Sequence, residues 1–191
     1  MKINSISLIY IVSTLACVSA ANAGVIADFY VGGMAGAGGQ TMFADHKNTT
    51  DSSAVFGAIA GMDIPFFRIE GEYDYFKSSN LNANAALVNV YAKMPSTIIV
   101  PYIGGGVGMI FDGDYSVENA GIETEYNMKT TAAYQAMMGA TLGILAIPLK
   151  FDIEGRALYA PDVVKIPGDG SSKLTPDMLQ YQVRVKARWI F

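Results

Sequence analysis

The chain has 191 residues, of which 51% are hydrophobic and only 16% charged, with 20 glycines, 11 tyrosines and 10 methionines. That balance is too apolar for a disordered chain and too glycine-rich for a helical bundle, while a net charge of -4 leaves no basic surface to grip nucleic acid phosphates. One cysteine and one histidine exclude thiolate zinc sites, disulfide frameworks and most histidine-centred catalysis.

Residues 1–23 read as an export signal. Lys2 gives the positive start, the stretch from Ile6 to Val18 is apolar apart from Ser and Thr, and Ala21-Asn22-Ala23 is a small-x-small cleavage site ahead of Gly24. The apolar stretch is shorter than the roughly 20 residues that a helix needs to cross a bilayer. A lipoprotein reading through Leu15-Ala16-Cys17 fits less well, because Thr14 stands where a large aliphatic residue is expected. Cys17 then leaves with the signal, and the mature chain, 24–191, carries no thiol.

The mature chain reads as eight strands. The first, over 28–37, sets apolar residues against Gly and Ala, and a long link at 38–53 holding His46 leads to a similar strand over 54–62. After a short link at 63–65 with Pro65, residues Phe66, Arg68, Glu70, Glu72 and Asp74 alternate with Phe67, Ile69, Gly71, Tyr73 and Tyr75. Helical spacing does not separate these two sets. A long link at 76–85 precedes the fourth strand, in which Asn89, Tyr91 and Lys93 alternate with Val88, Val90, Ala92 and Met94. Beyond Pro95 the fifth strand, 99–111, carries Gly104, Gly106 and Gly108 at period two. A long link at 112–129, a sixth strand over 130–143 and a short link at 144–147 follow. In the seventh, Lys150, Asp152, Glu154 and Arg156 alternate with Leu149, Phe151, Ile153, Gly155 and Ala157. The long link at 161–178 opens the eighth, where Gln180, Gln182, Arg184, Lys186 and Arg188 interleave with Tyr181, Val183, Val185, Ala187 and Trp189 before Phe191.

Long links thus alternate with short, proline-marked ones. Membrane barrels show that asymmetry, with short periplasmic turns, longer external loops and strands of about 9 to 11 residues. The expected fold is all-β: an eight-stranded antiparallel up-and-down transmembrane β-barrel. Every charged strand residue falls on one face of its strand, seven bases (Arg68, Lys93, Lys150, Arg156, Arg184, Lys186, Arg188) against five acids (Glu70, Glu72, Asp74, Asp152, Glu154). Closing the sheet gathers them into one interior charge network, and the Gly-rich faces of strands one, two and five make room for their long side chains. A soluble barrel would reverse the faces. Against it stand the aromatics near the strand ends of the uncharged face, including Tyr73, Tyr75, Phe111, Tyr159, Tyr181, Trp189 and Phe191, as in interfacial girdles. A transmembrane helix over the uncharged stretch 130–149 is the other rival. It would contain Gln135, Gly139, Gly143 and Pro148 and deprive the seventh strand of a neighbour.

The segments Phe29-Tyr30-Val31-Gly32-Gly33, Pro101-Tyr102-Ile103-Gly104-Gly105-Gly106-Val107-Gly108 and the ending Arg188-Trp189-Ile190-Phe191 make the mature chain similar to small eight-stranded outer-membrane barrels. It resembles OmpA-like transmembrane domains and opacity-type surface proteins of Gram-negative bacteria. The resemblance is one of pattern over the whole mature chain. It implies an outer-membrane location, contact with outer-membrane lipid, and a terminal aromatic strand read by the barrel assembly machinery, with Tyr181, Trp189 and Phe191 as its signal. No peptidoglycan-binding domain follows the barrel, so wall tethering is not implied.

Chemistry is sparse. The Gly104 to Gly108 run lacks the following helix that a phosphate-cradling loop needs. Asp112, Asp114, Ser116 and Glu123 fall at positions one, three, five and twelve of a calcium-loop template, but Val117 replaces the turn glycine and no helices flank it, so a solvated acidic loop is the preferred reading. His46 has no strand-borne serine to activate, and the interior carboxylates read as charge-paired filling, so neither an enzyme nor a cofactor is expected. What remains is a structural or surface-interaction role, adhesin-like, through acidic outer loops that take a host or envelope ligand. A narrow anion-preferring channel is the alternative.

Overall fold

The computed structural model describes residues 27–44, 47–78, 81–94, 96, 98–119, 122–127, 130–143, 147–163 and 177–191. The export signal, Cys17, His46 and most of the last long link lie outside them. Among the described residues nine strands are present: β1 (Asp28–Ala44), β2 (Lys47–Asp63), β3 (Phe67–Ser78), β4 (Leu81–Lys93), β5 (Ile99–Asn119), β6 (Ile122–Asn127), β7 (Thr131–Gly143), β8 (Leu149–Ala160) and β9 (Asp177–Ile190).

Eight of them close into an antiparallel up-and-down barrel. Each pairs with its neighbour in sequence, β5 pairs directly with β7, and β1 meets β9 in register from Tyr30↔Ile190 to Phe43↔Asp177. At the seam the last residue is tied down, since Phe191 N–H donates to the Phe29 carbonyl at 3.0 Å. The remaining strand, β6, folds back only on the upper part of β5, from Asp114↔Asn127 to Asn119↔Ile122. The 130–149 stretch is strand β7, a bend and the start of β8, and among the described residues no helix is long and apolar enough to cross a membrane.

Three of the four links expected to be long loops are mostly strand where they are described. Residues 38–44 pair with 47–53, β3 and β4 continue to Ser78 and Leu81, and 114–119 pair with 122–127. The Thr, Ser and Asn residues there are polar, but they satisfy their backbone groups in continued ladders, which an apolar-run criterion does not see. The short link at 63–65 is a tight bend, as expected from its proline, while Pro95 and residues 144–146 of the other two lie outside the described residues. At the Pro65 turn Ile64 N–H donates to the Phe67 carbonyl at 2.8 Å, and Ile190 N–H donates to the carbonyl of Pro148 at 2.8 Å. Phe66 sits in that first bend, exposed, rather than on the charged face of β3.

The faces sort as a membrane barrel requires. Along β3 buried and exposed residues alternate almost without a break, with Arg68, Glu70, Glu72 and Asp74 inside and Phe67, Ile69, Tyr73 and Tyr75 outside. Apolar side chains cover the outer wall and charge fills the inner one, the reverse of a soluble ligand-binding barrel. Phe67 and Tyr75, Phe151 and Tyr159, and Trp189 and Tyr181 are each eight residues apart on their outer faces. At a rise of about 3.4 Å and a tilt of about 40°, that is a band of roughly 21 Å between aromatic girdles, near the ~25 Å height of known barrels. The phenols on the loop side have polar partners: Tyr73 donates to Asn84 at 2.8 Å and Tyr159 to Asp177 at 2.7 Å.

Candidate functional site

Three tiers fill the interior, and strand alternation delivers each of them. At the short-turn end, Asp63 of β2 accepts from Lys93, from Lys150 at 3.5 Å and from Arg188 at 3.3 Å. Arg188 also grips Asp152, through Nε at 2.6 Å and Nη2 at 3.0 Å, and Nη2 reaches Thr141 at 3.2 Å. Arg68 reaches the same carboxylate at 3.4 Å and lies over the rings of Tyr91 and Tyr102, 4.0 and 4.6 Å from their centroids.

The middle tier is denser. Arg184 donates to Glu72 at 2.6 Å and to Glu154 at 3.0 Å, and Arg156 donates to Glu72 at 3.1 Å and Asp74 at 2.5 Å. Lys186 bridges Glu70 at 2.8 Å and Glu154 at 3.2 Å. Neutral donors complete the carboxylates: Tyr30 and Tyr91 bond Glu70 at 2.7 and 2.9 Å, Tyr102 bonds Glu154 at 3.1 Å and Asn89 bonds Glu72 at 2.8 Å. In a low-dielectric interior, ions held this way are fixed rather than strongly stabilising, because Coulomb attraction mainly offsets desolvation. Their geometry therefore defines the lumen.

Glycines admit these side chains. A Cβ on Gly104 would run into the Tyr91 ring and one on Gly106 into Asn89, both on β4 beside them, while one on Gly36 would come within 2.8 Å of Arg184 Cγ.

Above the ions, at the level of the outer tyrosines, lies an apolar tier. Val55, Phe76, Leu87, Ile110, Leu158 and Met178 point inward and are buried together. Nothing in the composition marked them, since the expected charge network occupied the whole inner face. Their signal was phase: each continues the inward register of its strand.

All twelve charged residues expected in the lumen point inward. Lys93 and Lys150 stand at the turn-end mouth, and the Lys150 side chain is a third exposed. Sequence reasoning missed Asp63, placed in a turn beside Pro65, although it continues the inward phase of Ile59 and Gly61. It also missed Tyr30 and Tyr102, the latter in phase with Gly104, Gly106 and Gly108. Tyr181, Trp189 and Phe191 are exposed on the outer wall. The calcium-loop candidates do not form a loop. Asp112, Asp114 and Ser116 lie on β5 and Glu123 on β6, in an extended ladder that pairs Ser116 with Glu125, so the backbone does not wrap a central cation. Among the described residues no cluster of metal-ligating side chains occurs.

Solved structures carry the same fold. Neisserial surface protein A superposes with a TM-score of 0.55 at 15% identity, over 83% of this chain and 95% of that one. The N-terminal β-barrel domain of Pseudomonas aeruginosa OprF gives 0.50 at 10% identity, over 84% and 97%. Both are small eight-stranded outer-membrane barrels. The fold of this chain is theirs. No protein-family profile and no curated protein sequence matches it.

Proposed function

We propose that the protein is a bacterial outer-membrane barrel with a closed lumen, a rigid scaffold that presents its loop-end hairpins for contact with a host or envelope ligand. The observation that carries this reading is the pairing of a buried ion network with the apolar tier above it. Arg68, Glu70, Asp74, Asp152, Glu154, Arg184, Lys186 and Arg188 are all at 0% exposure, and Phe76, Leu158 and Ile110 lie over the loop-end side. A narrow channel would have to part both. The carboxylates are occupied by guanidinium, ammonium and phenol donors, which supports a structural rather than a catalytic use.

The hairpins supply the contact surface. Residues 112–127 hold Asp112, Asp114, Glu118, Glu123 and Glu125 and no Lys or Arg, so a partner with a basic face is favoured. Outer-membrane lipid meets the wall, and the exposed Tyr181, Trp189 and Phe191 suit a strand that the barrel assembly machinery reads. Planar-bilayer recording of the refolded protein tests the closed lumen. The expected result is no steady conductance, and stable channels of porin size would refute it. Heat-modifiable gel migration of outer-membrane fractions tests the location separately.

A further inference from the structure

One edge of β5 serves two partners in line: residues 99–110 pair with β7 and 114–119 with β6. β6 therefore stands directly above β7. The next position along the sheet, above β8, is filled by no described residue. β8 ends at Ala160, and the chain then leaves its line: Asp162 takes a left-handed turn with a φ of 52°, its N–H donates to Asp177 at 3.2 Å, and Val163 is buried in the apolar tier. Among the described residues Ile122–Asn127 pairs only with β5, so its other edge presents backbone donors and acceptors at strand spacing.

A bulge decides what lies beside that edge. Asn84 stands opposite Phe111 but Asn82 opposite Asp114, so β5 uses three steps where β4 uses two. Below the bulge Tyr102 and Ile110, both even-numbered, are buried inside; above it Asp114 takes the outer face, opposite the exposed Asn82. By register Asp114, Glu118, Glu123 and Glu125 share that face, and Val117, Ile122 and Tyr126 share the other. Glu118 is directly opposite Glu123, where like charges destabilise a pair. A cation laid beside them relieves that cost.

We infer that the open edge of β6 takes an extended polypeptide segment by strand addition, one with Lys or Arg at every second residue. This deepens the surface-contact role proposed above and rests on it. Backbone pairing gives the affinity and alternation gives the code: basic residues fall beside Glu123 and Glu125, and the residues between them beside Ile122, Thr124 and Tyr126. A second copy of this chain is a poorer occupant, because its own β6 would set the same carboxylates against each other.

Fluorescence anisotropy of labelled octapeptides tests it, with the protein refolded in zwitterionic micelles that leave both barrel ends open. One peptide alternates Lys with Thr, and the other holds the same residues in two blocks. The alternating peptide should bind tighter by about tenfold or more. The double variant Glu123→Gln, Glu125→Gln should weaken it about threefold to tenfold, the scale of two exposed charge pairs, while Asp28→Asn at the turn end should not. Hydrogen exchange separates strand addition from simple charge attraction, since bound peptide should slow exchange at alternate amides of Ile122–Asn127. No binding, equal binding of the two peptides, or unchanged exchange in β6 would overturn the proposal. Cross-linked dimers through β6 that persist with peptide present would assign the edge to a second copy and overturn it as well. A failure in micelles counts against the edge alone, because the outer-membrane location has its own gel test.

Discussion

Replacing Arg184 by methionine removes the cation that joins two carboxylates of the middle tier while keeping most of the side chain's volume. Breaking one partner out of a buried ion network costs about 3–5 kcal/mol, mainly because the remaining charge is stranded. Here the stranding is incomplete. Glu72 keeps Arg156 at 3.1 Å and Asn89 at 2.8 Å, and Glu154 keeps Lys186 at 3.2 Å and Tyr102 at 3.1 Å. The expected loss therefore sits at the lower edge, about 3 kcal/mol. Adding Glu154→Gln to the same chain removes one carboxylate along with the one cation, returns the tier to its original charge balance and should restore at least half of that loss. Denaturant titration in phospholipid vesicles reads both effects through the single tryptophan, Trp189. The midpoint should move while the slope stays constant. A loss below about 0.5 kcal/mol, the scale of an ordinary surface substitution, would refute the buried network, as would a double variant no better than the single one.

Val185→Arg, midway between Tyr181 and Trp189 on the outer wall, should cost about 2–4 kcal/mol in vesicle refolding, and a neutral effect would place that face in water. Gly106→Ala drives a methyl into Asn89 and should cost about 1–3 kcal/mol as overpacking, whereas Gly105→Ala, facing outward, should stay within about 0.5 kcal/mol; equal effects at the two sites would contradict the inward phase of β5. Deleting Phe191 should slow insertion by the assembly machinery while changing the folded barrel's stability little. Equal insertion rates for both forms, measured in reconstituted membranes, would remove that residue from the signal.

The inner and outer faces were legible in the sequence because period-two alternation is rigid: once Arg184, Lys186 and Arg188 share a face, Val183 and Val185 must take the other. The turn at 63–65 was legible because Pro65 interrupts strand pairing in the sequence. Strand ends were not. Gln40, Thr50 and Asn82 carry no apolar signal, yet their backbone bonds continue the ladder, and only pairing with a neighbour distinguishes such a strand from a loop. The acidic loop expected around Asp112, Asp114, Ser116 and Glu123 is a strand ladder for the same reason, since residue types at fixed offsets say nothing about whether the chain turns or extends. Asp63 was hidden by its neighbour Pro65, and the apolar tier by the expectation that a charged inner face stays charged to the rim. Which carboxylate meets which cation depends on the register across the barrel, where Glu72 and Arg184 are 112 positions apart in the chain.

Nitroxide accessibility along β9 tests the orientation of the wall most directly. Labels at Val183 and Val185 in vesicles should collide with oxygen dissolved in the acyl chains, and a label at Gln182 should be shielded from both oxygen and a water-soluble nickel reagent. Strong nickel contact at Val183 and Val185, with oxygen contact at Gln182, would contradict the account.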